Sequence, residues 1–196
     1  MTTLTELYEP IATHLERVRA VFDEAIGSDV AVIDRLCRHV GRLRGKMLRP
    51  VLLLLAGQAC GQLRDEHYTL AAVVEIIHMA SLVHDDILDE ADLRRNAVTI
   101  NRMTSNETAV MLGDFLFSRA LLLCSQVDCP RTRQILAAAT AALCEGELIQ
   151  LSHRGDWRLS EQQYLEIVDR KTATLMAASC ELGAYQAGAN PQAVRS

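Results

Sequence analysis

Between Ser81 and Arg95 the chain reads SLVHDDILDEADLRR, an aspartate pair, a further aspartate and an arginine pair in one short span. On a helix, Asp85 and Asp89 stand one turn apart and share a face. Carboxylates held that way can bridge a hard cation such as Mg2+, which prefers oxygen ligands and commonly enters a site together with substrate phosphates. Arg94 and Arg95 follow where the oxygens of such a phosphate could be gripped. A run of acids on a helix is usually a solvated face. Here the preceding residues argue otherwise. Ala71, Ala72, Val73, Val74, Ile76, Ile77, Met79, Ala80, Leu82 and Val83 make the helix apolar nearly all round, which predicts a buried helix whose acidic end lines a cavity.

SLVHDDILDEADLRR closely resembles the first aspartate-rich motif of the trans-isoprenyl diphosphate synthases, the head-to-tail prenyltransferases. Other stretches resemble that family in the expected order. GKMLRP (Gly45 to Pro50) is similar to its GGKRLRP diphosphate-binding segment, and EIIHMASLVHDD (Glu75 to Asp86) to its central helix, with His78 as the substrate histidine. LGDFLFSRA, EGELIQL and KTATLMAASCELGA follow, the last carrying Lys171 and Thr172 of the family's Lys-Thr segment. The six matches cover most of the chain and lie closest to the octaprenyl and other long-chain synthases.

The resemblance implies an all-α antiparallel bundle around a central cavity, and a reaction. An allylic diphosphate loses pyrophosphate to give a carbocation, which the isopentenyl diphosphate double bond attacks. Asp85, Asp86, Asp89, Arg94 and Lys171 are the implied catalytic residues, with Mg2+ on Asp85 and Asp89 acting as a Lewis acid on the departing group. Lys46, Arg49, His78 and Arg95 are implied for the isopentenyl diphosphate, and Lys171 and Thr172, with Arg94, for the allylic one. Small residues at Ala80 and Ser81 predict a cavity open toward Val74 and Ile77 and a medium- or long-chain product. His84 and Asp114 read as structural.

Some positions depart from the family pattern. Arg44 stands in place of a glycine, Met47 of an arginine, and Asn96 and Val98 of a glycine and a proline. A second aspartate-rich motif, FQxxDDxxD in the family, has no counterpart after Lys171, where the resemblance implies further helices. The expectation is therefore an incomplete synthase domain over 1–196 that turns over negligibly alone. A non-catalytic homologue pairing with a complete synthase is an alternative. A class I terpene cyclase is another, although it needs neither GKMLRP nor the arginine pair.

With 196 residues, 49% hydrophobic, the chain can bury one substantial core. Only 10 Gly and 4 Pro accompany abundant Ala and Leu, as suits an all-helical protein. A net charge of -5 without a basic stripe argues against a nucleic-acid partner. Six cysteines without a CxxC pair read as reduced thiols in a cytoplasmic protein. The N-terminus lacks a signal-peptide apolar core, and Val51 to Ala56 is too short to span a bilayer, so an integral membrane protein is not expected. Apolar periodicity predicts helices near 3–26, 29–43, 47–60, 66–92, 107–127, 130–153 and 160–188, and no strand. The resemblance implies a homodimer packed through 107–127, where Leu112, Phe115, Leu116, Leu121 and Leu122 exceed what one core face needs.

Overall fold

A computed structural model describes residues 8–190; the expected helix start at residue 3 and the segment 191–196 lie outside them. After a 3-10 turn at Glu9–Ile11, the helices are α1 (Ala12–Ile26), α2 (Ala31–Arg42), α3 (Leu48–Cys60) and α4 (Asp65–Leu88). A small hairpin of β1 (Leu93–Arg94) and β2 (Ala97–Val98) follows. Next come α5 (Ile100–Met103), α6 (Asn106–Ser125), α7 (Pro130–Ser152) and α8 (Glu161–Val168). A π turn (Asp169–Ala173) leads into α9 (Thr174–Gln186). All seven predicted helices are present. Three features were not anticipated: the hairpin, the short α5, and the π turn that divides the segment read as one helix over 160–188.

The described residues pack as two compact units, 8–51 with 68–127 and 52–67 with 128–190. In the first, Leu15, Val18, Phe22 and Ile26 recur at helical spacing on α1 and are buried, so that α1 packs against α2 and α6. Arg119 of α6 donates to the carbonyls of Ala25 and, at 3.2 Å, Gly27, placing a cation on the exposed carbonyls that end α1. His84 of α4 meets α6 at the Val110 carbonyl, 3.0 Å from its Nε2, and at Asp114, 3.6 Å away. A Cβ on Gly113 would lie 2.1 Å from that ring nitrogen, so glycine is what admits the histidine. The structural reading of His84 and Asp114 agrees with this.

In the second unit, α7, α8, α9 and the π turn pack together. Pro130 occupies the first turn of α7, where its missing N–H costs nothing, and Ser160 with Gln163 forms a reciprocal capping box at the start of α8. Buried His67 accepts from the Arg64 backbone N–H at Nδ1 (3.0 Å). That fixes its tautomer, so Nε2–H donates to the Gly183 carbonyl at 3.2 Å. A Cβ on Gly183 would come within 2.1 Å of the Leu53 carbonyl oxygen, so α3 and α9 approach backbone to backbone.

Among the described residues, α6 and α7 are each long and apolar enough to cross a membrane by length and composition, a test that the core helix of a soluble protein also passes. Much of their apolar surface is uncovered: Met111 is 65% exposed, Leu121 73%, Leu122 55% and Leu148 67%. Leu112 and Leu116, by contrast, are turned into the core.

Candidate active site

The aspartates lie at the C-terminal end of α4. Leu88 is its last helical residue, but the Asp89 N–H still bonds to the Asp85 carbonyl (2.8 Å), so the two keep their one-turn relation. The chain then reverses through Glu90, at φ 52°, with the Ala91 N–H on the Asp86 carbonyl (2.8 Å). A left-handed residue of this kind commonly ends a helix, and it stops α4 short of residue 92. Asp85 is half-buried, Asp89 exposed and Asp86 buried. The residues of α4 that are not fully buried near its end are His78, Ser81, Leu82, His84, Asp85, Ile87 and Leu88. His78, Ser81, Leu82, Asp85 and Leu88 recur at helical spacing, so one accessible face runs up to Asp85 and Asp89.

Asp86 is engaged by Arg94. Its Oδ1 accepts from Arg94 Nε at 2.8 Å and from Nη2 at 2.7 Å, a charge-assisted pair in which the carboxylate is almost wholly buried. The family resemblance gave both Asp86 and Arg94 catalytic places, with Arg94 also on the allylic diphosphate. In the structure the two hold each other, and Asp86 serves as the anchor that orients Arg94.

Arg94 and Arg95 stand at the hairpin, whose register pairs Leu93 with Val98 and Arg94 with Ala97. Its two turn residues, Arg95 and Asn96, have φ 51° and 64°. Two consecutive left-handed residues make the tight turn whose twist matches paired strands, and asparagine tolerates that conformation where the family pattern has glycine. Arg95 enters it at a cost of about 1–3 kcal/mol. Its guanidinium donates to the Leu43 carbonyl and lies where a Cβ on Gly45 would sit, 2.4 Å from Nη2. The glycine of GKMLRP thus admits the Arg95 side chain, bringing that segment and the arginine pair together.

Arg49, in the first turn of α3, is half-buried, and burial depresses its pKa. His78 is pushed down to about 3, by burial first and then by the charges of Arg49, Arg95 and Arg94, and is therefore a neutral hydrogen-bonding imidazole at physiological pH. Lys46 is exposed beside them in sequence. Arg44 is tethered elsewhere: it pairs with Asp23 at 3.0 Å, donates to the Gly41 carbonyl at 2.8 Å and lies over the Phe22 ring. Met47, which replaces the family arginine, is buried at φ 51°.

The first unit therefore brings Arg49, His78, Arg94 and Arg95 into one electrostatic neighbourhood. Lys171 and Thr172 belong to the second unit, where both stand on the π turn, a local widening frequent at functional sites. Lys171 Nζ is 2.5 Å from a Glu147 carboxylate oxygen and donates to Gln150 Oε1 at 3.2 Å. Thr172 is exposed. Three residues had no assigned role in the sequence reading although each lay inside a quoted motif: Glu147 and Gln150 in EGELIQL, and Glu75 in EIIHMASLVHDD. The only signal for the first two was their three-residue spacing on a helix.

Ala80, Val74 and Ile77 are buried in the core. Ser81, half-buried with its hydroxyl on the His78 carbonyl (2.8 Å), is the member of the predicted pair that shares the face of Asp85.

No cluster of three or more His, Cys, Asp or Glu side chains able to hold a metal ion is present among the described residues. Asp85 and Asp89 offer a hard oxygen pair, which suits Mg2+ when substrate phosphates complete its octahedral shell.

Basic residues gather around a helix face that ends in paired carboxylates, and the sequence matches the polyprenyl synthetase family over residues 30–196. The chain belongs to that family. It is 33% identical over 96% of its length to octaprenyl diphosphate synthase of Escherichia coli (strain K12), covering 58% of that protein. It is 38% identical over 95% of its length to heptaprenyl diphosphate synthase component 2 of Geobacillus stearothermophilus, again covering 58%. Among solved structures, a polyprenyl synthase from Caulobacter crescentus CB15, complexed with calcium and isoprenyl diphosphate, superposes with a TM-score of 0.94 at 36% identity, over 98% of this chain and 59% of that one. A decaprenyl diphosphate synthase from Rhodobacter capsulatus gives 0.92 at 36% identity, over 97% and 59%. The fold is thus the all-α isoprenoid synthase fold, and the chain spans under three fifths of the length of these relatives. Membership in this family sets the terpene-cyclase alternative aside.

Proposed function

We propose that the chain carries the substrate-binding part of a head-to-tail prenyltransferase that joins isopentenyl diphosphate to an allylic diphosphate. The observation that carries this is the convergence of Arg49, Arg94, Arg95 and neutral His78 in the unit whose α4 ends in Asp85 and Asp89. Lys46, Arg49, His78 and Arg95 bind the diphosphate of the isopentenyl substrate. Asp85 and Asp89 hold Mg2+, which when bound neutralises the charge of the departing pyrophosphate. Arg94, steadied by Asp86, adds charge-assisted hydrogen bonds to the allylic diphosphate. The test is calorimetric titration of the 196-residue protein with isopentenyl diphosphate. Binding that Arg49→Gln abolishes supports the reading, and absence of binding overturns it.

A second reading is favoured by the similarity to a protein named as one component of a synthase: the chain works with a complete synthase subunit. Product formation from isopentenyl and farnesyl diphosphates, measured with and without a complete synthase chain, separates the two. Elongation that requires the added chain, and is altered by this one, supports partnership.

The accessible face below Asp85 is lined by Ser81 and so favours a medium- or long-chain product. Replacing Ser81 with phenylalanine in the active assembly is expected to shorten the prenols released after dephosphorylation. An unchanged product distribution would place the chain-length limit elsewhere.

Two copies are proposed to pair through α6. Val110, Met111, Leu121 and Leu122, all exposed, supply the apolar surface, while Leu112 and Leu116 belong to the protomer's own core. Sedimentation at micromolar concentration should show a dimer that Leu121→Glu dissociates; a monomeric wild-type protein contradicts the proposal.

A further inference from the structure

Glu75 lies one turn before His78 on α4 and is 2% exposed. Its Oε2 is buried with no hydrogen-bond partner among the described residues, and the same holds for Nε of Arg49. The Glu75 carboxyl pKa is raised: burial, the largest influence, pushes it up, and the guanidiniums of Arg49, Arg95 and Arg44 offset part of that. The buried phenol of Tyr8 also senses its charge. The neighbouring arginines each have a tether of their own: Arg44 on Asp23, Arg94 on Asp86, Arg95 on the Leu43 carbonyl. Arg49 has no contact ion pair among the described residues, and Glu75 is the charge that offsets it.

A half-buried guanidinium near enough to a buried carboxylate to feel its charge, each left with an unfilled buried hydrogen-bonding atom, bears the cost of desolvation without the full return of a bonded pair. That is an unfavourable arrangement for a purely structural ion pair. It is a natural one for a site whose cations must be released to a ligand. A fully bonded bidentate pair would compete with the incoming anion, whereas no counter-charge at all would leave guanidiniums buried and uncompensated in the empty site.

We propose that Glu75 is the resident counter-ion of this anion cradle: a positioning residue that balances Arg49 and Arg95 while no substrate is present and yields its share of them when a diphosphate arrives. The inference rests on the reading of this region as a diphosphate site. Glu75 touches no reacting atom, and its effect passes through Arg49 and Arg95.

The test uses the 196-residue protein, inorganic pyrophosphate as probe, and a chelator to exclude metal. Glu75→Gln keeps the shape and removes the charge. It is expected to lower the midpoint of thermal unfolding in the absence of pyrophosphate and to recover most of that loss at saturation, because the ligand then supplies the missing negative charge. By the same linkage, pyrophosphate should bind the variant on the order of fivefold or more tightly than wild type. The double change Glu75→Gln with Arg49→Gln should regain stability without ligand. A Glu75→Gln protein destabilised equally with and without pyrophosphate, at unchanged or weaker affinity, would show that Glu75 only fills space and would overturn the proposal. If Glu75→Gln does not fold alone, refolding in pyrophosphate replaces the measurement: rescue that chloride at equal ionic strength does not give supports the counter-ion, and no rescue overturns it. Wild-type protein that fails to bind pyrophosphate overturns the diphosphate reading itself, a distinct result.

Discussion

Exchanging Asp85 for asparagine should remove the contribution of Mg2+ to pyrophosphate binding while leaving the metal-free component nearly intact. The carboxylates of Asp85 and Asp89 are one helical turn apart and supply the hard oxygen pair of the site. The basic groups nearby are proposed to bind the same anion without metal. In wild type, Mg2+ is expected to tighten pyrophosphate binding by on the order of tenfold or more, since a cation bridging carboxylate and phosphate is the strongest local charge available. Asp85→Asn and Asp89→Asn should each lose that gain. Asp86→Asn provides the contrast. Its buried carboxylate holds Arg94 through two close contacts, so its loss should weaken binding with or without metal and leave the Mg2+ gain standing. A gain that persists in Asp85→Asn and disappears in Asp86→Asn would mean that the roles of the two neighbours had been exchanged.

Stability should fall as the pH is lowered through the range in which an unfolded histidine takes up a proton. His78 has a pKa of about 3 in the folded protein, against about 6.5 in an unfolded chain. Its contribution is fully present above the unfolded value and declines below it, because the unfolded state binds the proton while the folded state refuses it. The slope approaches about 1.4 kcal/mol per pH unit, and between pH 7 and pH 5 the loss amounts to about 2 kcal/mol. Buried His67, also lowered, contributes in the same direction, and Glu75, raised, in the opposite one at pH values above the ordinary carboxylate pKa. Comparison with His78→Gln isolates the single group. Urea unfolding of both proteins at pH 7, 6 and 5 should show a shallower fall in the variant. Parallel curves would mean that His78 is protonated in the folded site.

The parts of this architecture that sequence made legible are those carried by local spacing. The apolar run from Ala71 to Val83 and the i, i+4 relation of Asp85 and Asp89 are properties of one helix, and they hold in three dimensions. Arg49, His78 and Arg95 were also identifiable, because their motifs are short and contiguous. The remaining features depend on partners distant in sequence. The tether of Arg44 is Asp23, twenty-one residues earlier. Nothing local in RRNAV announces a hairpin, since its strands are two residues long and only Asn96 is a common turn residue. Arg94 and Asp86 are eight residues apart, across a helix end and a reversal, and their pairing follows from that fold-back. Glu75 was visible as a charge in an apolar helix, but its meaning resides in three arginines that other segments bring to it.

The π turn also governs phase. Leu175, Ala178, Ser179 and Leu182 form the buried face of α9, and the last buried position of α8 is Ile167, eight residues before Leu175. Two α-helical turns need only about seven, so the wide turn absorbs one surplus residue and keeps both apolar faces on the same side. Shortening the segment by a single residue would leave a regular helix with about seven residues from Ile167 to Leu175, so Gly183 would still face the Leu53 carbonyl, where a backbone fits and a side chain does not. An inserted residue, with no second widening to absorb it, would instead rotate everything after it by about 100°. Loss and gain of a residue are consequently unequal hazards here. The stretch from Asp169 to Ala173 can give up its surplus residue and keep the phase of α9; what it would forfeit is the wide turn on which Lys171 and Thr172 stand.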